Sequence, residues 1–245
     1  MSGLVRVLGL GPGTLDECTP RALAAMEEAD VLVGYSTYID LVRERFPHKP
    51  TESTGMTLEV ERCRRAVELA RSGKNVAVVC SGDPGVYGMA GLVLQLCGTS
   101  GPEVEIIPGV TAACSAAARL GAPLGHDFAV VSLSDRLTPW SLIERRLDAA
   151  AAADFILCLY NPASRGRPDV LRLACDRLLI CRSGETPAGW VRNIGRPGES
   201  VHVGTLEQLR CQTLDMFTTV IIGNSQTKRL NGRLVAPRGY REAEA

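Results

Sequence analysis

The sequence predicts an α/β fold of two domains, on three observations. Apolar, β-branched runs stop abruptly in turns rich in glycine and proline, as Val76–Cys80 does at Ser81-Gly82-Asp83-Pro84-Gly85. Such a run reads as a strand buried on both faces, the mark of a parallel sheet. Amphipathic and small-residue helical stretches alternate with these strands. After Gly121-Ala122-Pro123-Leu124-Gly125 the pattern changes and a second set of elements begins. That marks 121–125 as a linker between a domain at 1–120 and one at 126–237, with a tail at 238–245.

Leu4 to Leu10 reads as a short strand ending in Gly9-Leu10-Gly11-Pro12-Gly13. Thr19-Pro20 supplies an N-cap and a proline at the first helical position for a helix over Arg21–Ala29, and Val31–Val33 is the next strand. This order suggests a nucleotide-type unit, yet Thr14 stands where the dinucleotide fingerprint has its third glycine, and Asp30 precedes its strand instead of ending it. NAD is therefore not the expected ligand. Tyr35-Ser36-Thr37-Tyr38 opens a polar segment, loop and short helix, that runs past Gly55-Met56. Leu58–Ser72 is an amphipathic helix whose charges form mostly a solvated face.

The central strand Val76–Cys80 follows, and at its carboxyl end Gly82 and Gly85 let the backbone approach a ligand while Pro84 stiffens the turn. Open α/β sheets bind ligands at such edges. The plainer reading, Asp83 as a cap for the next helix, stands beside it. Met89–Leu96 is a helix, and Val104–Ile107 a strand closing in Pro108-Gly109-Val110-Thr111-Ala112-Ala113, then a small-residue helix to Leu120. In the second domain the expected strands are Phe128–Leu133, Phe155–Tyr160, Leu179–Cys181, Val201–Val203 and Met216–Ile222. The expected helices are Trp140–Ala152 and Val170–Leu178.

Composition narrows the class. With 245 residues, 45% hydrophobic and 22% charged, and with Lys+Arg and Asp+Glu balanced at 27 each, the chain reads as a soluble protein without a nucleic-acid partner. No apolar stretch approaches the roughly 20 residues of a membrane span, and no signal pattern opens the chain, so the cytoplasm is the expected location. Nine cysteines form no Cys-x-x-Cys pair, and His48, His126 and His202 lie far apart. No metal is expected, and most cysteines read as buried thiols. No Gly-x-Ser-x-Gly elbow supports hydrolase chemistry.

Taken together, Gly9-Leu10-Gly11-Pro12-Gly13, Ser81-Gly82-Asp83-Pro84-Gly85-Val86-Tyr87, Pro108-Gly109-Val110-Thr111-Ala112-Ala113 and Met216–Gly223 resemble the tetrapyrrole (corrin/porphyrin) methylases. The resemblance spans nearly the whole chain. Gly34–Tyr38, Gly125–Phe128, Ser132–Asp135, Tyr160-Asn161-Pro162 and Gly223-Asn224-Ser225 are similar to the members that act at carbon 17 of precorrin-3B. It implies two α/β domains with the active-site cleft between them, a homodimer, S-adenosylmethionine as donor with S-adenosylhomocysteine as product, and a tetrapyrrole acceptor. It further implies methylation of carbon 17 with ring contraction to precorrin-4 in cobalamin biosynthesis; another ring carbon is the alternative.

Carried over by position, the cofactor contacts would be Pro12, Ser81, Gly82, Asp83, Val86, Thr111, Ala112, Asn161, Met216 and Thr218. Tyr35, beside a large flat ligand, and Arg136, Arg165 and Arg192, in loops at strand ends where a guanidinium can take a carboxylate, are the substrate candidates. Arg167 belongs to the same set of loops. Ring contraction needs a base and an acid, and Asp135, Tyr38 and His126 are the candidates. Asp135 beside Arg136 reads equally well as an ion pair.

Overall fold

Strand pairing follows the apolar runs. The computed structural model describes residues 2–163 and 166–240, and the chain divides into two units, Met1–Ala112 and Ala113–Ala245. The first contains β1 (Leu4–Gly9), α1 (Pro20–Glu28), β2 (Val31–Tyr35), α2 (Ser36–Arg43), β3 (Thr51–Thr54), α3 (Glu59–Arg71), β4 (Val76–Cys80), α4 (Ala90–Cys97) and β5 (Glu103–Ile107). Its five strands lie in the order β3-β2-β4-β1-β5, all parallel. Every residue of the central β4 is buried, as its unbroken apolar run requires. Val5, Val7 and Val78 pack with Cys63, Ala66, Val67 and Val93 on one face. Leu8, Ala77 and Val79 pack with Ala22, Met26 and Ile39 on the other.

Helices thus cover both faces, and the parallel arrangement brings all five carboxyl ends to one edge. The register shows it directly: Gly9 pairs with Cys80, Leu8 with Ile107, Gly34 with Val79 and Tyr35 with Thr54. α1 begins where expected. The Thr19 hydroxyl accepts the Ala22 N–H at 3.2 Å, with Pro20 at the first helical position.

The second unit carries α5 (Ala112–Leu120, its first residue at the boundary), β6 (Gly121–Ala122), β7 (Phe128–Ser132), α6 (Trp140–Ala152), β8 (Ile156–Tyr160), α7 (Val170–Leu178), β9 (Pro187–Arg192), β10 (Ser200–Thr205), α8 (Leu206–Arg210), β11 (Thr218–Ile222), β12 (Lys228–Leu230) and β13 (Arg233–Val235). One sheet runs β10-β9-β11-β8-β7, with only β7 and β8 parallel. Its core includes Leu133, Ile143, Leu157, Leu159, Leu178 and Val220. A small sheet orders β12-β13-β6.

Several expectations change. The contact boundary falls between Ala112 and Ala113, and Gly121-Ala122, expected as linker, is a strand paired with Leu234-Val235 of β13. A partner so distant in sequence leaves no local signal. Leu179–Cys181 is a turn: Leu179 N–H bonds to the Cys175 carbonyl and Cys181 N–H to that of Leu178, so the chain folds back on α7 instead of joining a sheet. Pro187–Arg192, not anticipated, is an interior strand between β10 and β11; Pro187 and Gly189 hide it. Thr51–Thr54 is a polar edge strand, and Ser36–Arg43 a full helix.

Arg6 of β1 lies opposite Glu105 of β5, its Nε 2.9 Å from Oε2, and Arg21 bonds the other oxygen. Those bonds, that from Arg21 first, hold the Glu105 carboxyl below its ordinary 4.5. A depressed folded value means the stabilisation is present above the unfolded value and is lost as pH falls through the folded one. Glu105→Gln is expected to lose roughly 0.5–1 kcal/mol at pH 7. In thermal melts the gap to the parent protein should close in acid below that value.

Candidate active site

At the carboxyl edge of the first sheet, three loops meet backbone to backbone. Gly11 and Gly82 exchange both hydrogen bonds, Gly82 N–H to the Gly11 carbonyl at 2.7 Å and Gly11 N–H to the Gly82 carbonyl at 3.2 Å. The turn after β1 is thereby laced to the turn after β4. Gly82 holds φ 64, a left-handed conformation that favours glycine. A Cβ on Gly109 would lie 2.8 Å from Gly9 Cα and closer still to the Gly82 carbonyl oxygen, so the turn after β5 joins the other two only without a side chain.

Asp83 locks this arrangement. One carboxylate oxygen accepts the Gly85 N–H at 2.8 Å and the other the Gly109 N–H at 3.1 Å. Its carboxylate thus holds two loops, a different place from the helix cap that the local pattern also suggested. Pro12 is buried; Ser81, Val86, Thr111 and Ala112 are half-buried around the same loops. The structure brings all seven expected cofactor residues of this unit to one edge. Tyr35, at the end of β2, and Tyr38, in the first turn of α2, pack edge to face with centroids 5.2 Å apart.

In the second unit, the alternation of strand direction places the ends of β7, β8 and β9 and the start of β11 on one edge. Ser132 pairs with Tyr160, and Thr218 with Arg192. Asn161 follows β8 with φ 54, a conformation asparagine tolerates better than most residues. Its Nδ2 donates to Ser132 Oγ at 2.9 Å, and that oxygen also accepts the Ser134 N–H. The Tyr160 hydroxyl accepts the Ala113 N–H at 2.8 Å at the start of α5. Arg192 Nε donates to Asp215 at 2.7 Å, and Asp215 also accepts from the Phe217 N–H and the Thr218 hydroxyl, each at 3.0 Å. Met216, in that turn, is exposed.

Asp135 and Arg136 are exposed in the loop after β7. Asp135 pairs with Arg167, Nε to Oδ1 3.3 Å, and not with its neighbour Arg136; Arg167 also donates to the Leu133 carbonyl. Arg165 lies outside the described residues. His126 precedes β7, at the end of the strand where Phe128 pairs with Ile156, whereas Asp135 follows the Ser132 end.

The model of the tetrapyrrole (corrin/porphyrin) methylases matches residues 5–210. The chain belongs to this family. It is 47% identical over 239 residues to the probable cobalt-factor III C(17)-methyltransferase of Salmonella typhimurium, covering 97% of this chain and 99% of that protein. It is 44% identical over 246 residues to the cobalt-factor III methyltransferase of Priestia megaterium, covering 98% of this chain and 46% of that longer one. Among solved structures, the methyltransferase CobJ superposes with a TM-score of 0.91 at 37% identity, covering 96% of this chain and 100% of that one.

For a tetrapyrrole methylase, the residues that sequence reasoning missed are those that hold others in place. Gly11 was visible in its motif, but its partner Gly82 lies far along the chain. Ser132, Asp215 and Arg167 had no local signal as partners of Asn161, Arg192 and Asp135. No group of three His, Cys, Asp or Glu among the described residues could hold a metal ion, and no described helix is long and apolar enough to cross a membrane.

Gly109→Ala is expected to destabilise the protein by roughly 1–3 kcal/mol, because a methyl group must displace packed backbone. Asp83→Ala should cost a similar roughly 1–3 kcal/mol by leaving two N–H groups without an acceptor. Denaturant melts check both, and Gly91→Ala, at an exposed position with open space for the added methyl group, is the control expected to change far less.

Proposed function

We propose that this tetrapyrrole methylase transfers the methyl group of S-adenosylmethionine to carbon 17 of a corrin precursor, with ring contraction, in cobalamin biosynthesis. The observation that carries the reading is the 47% identity, over 97% of the chain, to a protein named for methylation at that carbon. The names of both relatives favour cobalt-factor III as acceptor over metal-free precorrin-3B. A cytoplasmic homodimer belongs to the same reading, on the family resemblance.

The backbone cradle fits the donor. Gly82, Gly85 and Gly109 leave main-chain groups of the strand-end loops uncovered by side chains, and Pro12, Ser81, Val86, Thr111 and Ala112 border them. With Asp83 bracing two of the loops, the first unit offers a rigid wall for the adenosyl and methionyl groups. Asn161, Met216 and Thr218 are the second unit's contacts. S-adenosylmethionine held there would supply an electrophilic methyl carbon for the ring carbon's electron pair, with the neutral thioether as leaving group. The chain's task is positioning. Holding the reacting atoms near attack distance lowers the barrier without a metal or a covalent nucleophile.

Arg136, Arg165, Arg192 and Tyr35 are the acceptor contacts in this reading, Arg192 being oriented by Asp215. Contraction requires a base at a ring-carbon hydroxyl and an acid at the departing oxygen. Tyr38, His126 and Asp135, the last oriented by Arg167, are the candidates.

Titration with S-adenosylhomocysteine is expected to show micromolar binding, with none for NADH. Incubation with S-adenosylmethionine should convert cobalt-factor III to a ring-contracted product methylated at carbon 17, and precorrin-3B more slowly. A folded protein that does not bind the thioether, or a methyl group placed on another carbon, overturns the proposal. Asp135→Asn should lower kcat about 100-fold, the lower range for loss of a general base, with thioether affinity unchanged.

A further inference from the structure

The guanidinium of Arg62, on α3, is buried with no carboxylate within ion-pair distance among the described residues, and the residue is 3% exposed. Nε donates to the Thr54 hydroxyl at 2.9 Å, Nη2 to the Gly55 carbonyl at 2.9 Å, and Nη1 to the Met89 sulfur at 3.4 Å. A thioether is a weak acceptor. The guanidinium carbon lies 5.9 Å from the centroid of the Tyr35 ring, within cation–π range.

Burying a cation without an anion beside it is costly, and the neighbours of Arg62 on α3, Cys63, Ala66 and Val67, are all buried in the core. Yet every partner of Arg62 lies at the carboxyl edge of the first sheet. Tyr35 ends β2, Thr54 ends β3 with Gly55 just beyond, and Met89 closes the turn between β4 and α4. Tyr35 in turn packs on Tyr38. The charge therefore sits beneath the loops and the aromatic pair that this edge presents.

We infer that Arg62 is a positioning residue for the acceptor: it fixes the Tyr35 ring and the Thr54-Gly55 turn, and its charge, held by neutral partners, draws the macrocycle's carboxylates to this edge. The inference rests on the tetrapyrrole acceptor proposed above. It assigns Arg62 no contact with the methyl donor, so acceptor and donor should respond differently to its loss. Attraction of this kind weakens with salt, which separates it from packing.

The test compares the parent protein with Arg62→Met and Arg62→Lys in thermal stability, S-adenosylhomocysteine affinity, and KM and kcat for cobalt-factor III at two salt concentrations. For Arg62→Met, we expect thioether affinity within twofold and an acceptor KM raised about tenfold, the effect of one charge across a partly buried edge. The salt dependence of KM should shrink in that variant, and Arg62→Lys should restore both in part. Unchanged KM in Arg62→Met overturns the inference, as does thioether affinity falling in step with KM. Should Arg62→Met fail to fold, Arg62→Gln replaces it under the same criteria; failure of both, with a parent-like KM in Arg62→Lys, makes the residue structural and also overturns it. A parent that neither binds nor methylates tetrapyrrole refutes the functional reading and this inference together. A parent that does both, with an unaffected variant, refutes the inference alone.

Discussion

The paired hydrogen bonds between Gly11 and Gly82 set the distance at which everything else on the first unit's sheet edge is arranged. They pull two strand-end loops into main-chain contact, and the third loop closes on them because Gly109 has no side chain to hold it off. In ordinary packing, side chains separate backbones by several ångströms and keep some freedom of rotamer. Here the contact is between peptide groups, which have none. Asp83 adds a carboxylate brace across two of the loops. The result is a surface of fixed main-chain donors and acceptors, suited to holding a small molecule in one orientation.

The second unit builds its strand-end surface differently. Its strands mostly alternate in direction, so fewer carboxyl ends converge and side chains do the bracing. Ser132 holds the Asn161 amide, Asp215 gathers Arg192 with Thr218, and Arg167 holds Asp135. Each is a short polar clamp between residues far apart in sequence. Substitution at the glycines of the first unit's strand-end loops therefore acts through sterics. In the second it acts through the loss of a hydrogen-bond partner.

The chain belongs to the tetrapyrrole methylases, and methyl transfer depends on positioning more than on reactive side chains. Within the first unit, Arg62 is a buried cation whose guanidinium meets a hydroxyl, a carbonyl and a sulfur. By contrast, Arg6 and Arg21 share Glu105, and Arg177 is paired with Asp148. Those are ion pairs of the usual surface kind.

Much of the first unit was legible because its strands are buried on both faces and leave unbroken apolar runs, and because its loops carry glycine where backbones touch. Val76–Cys80, Leu4–Gly9 and the Thr19-Pro20 helix start all appear from local pattern alone. Local pattern cannot reveal pairing between distant segments. Gly121-Ala122 became a strand only through Leu234-Val235, Pro187–Arg192 entered a sheet interior despite its proline and glycine, and His126 fell at the opposite end of its strand from Asp135. By itself, then, the amino-acid sequence determined the fold class, the family motifs and the glycine loops at the strand ends, because periodicity and glycine placement are written residue by residue. Only the tertiary structure decided which side chains share an edge and which charge stays unpaired, because those depend on the register between strands that the chain brings together from far apart.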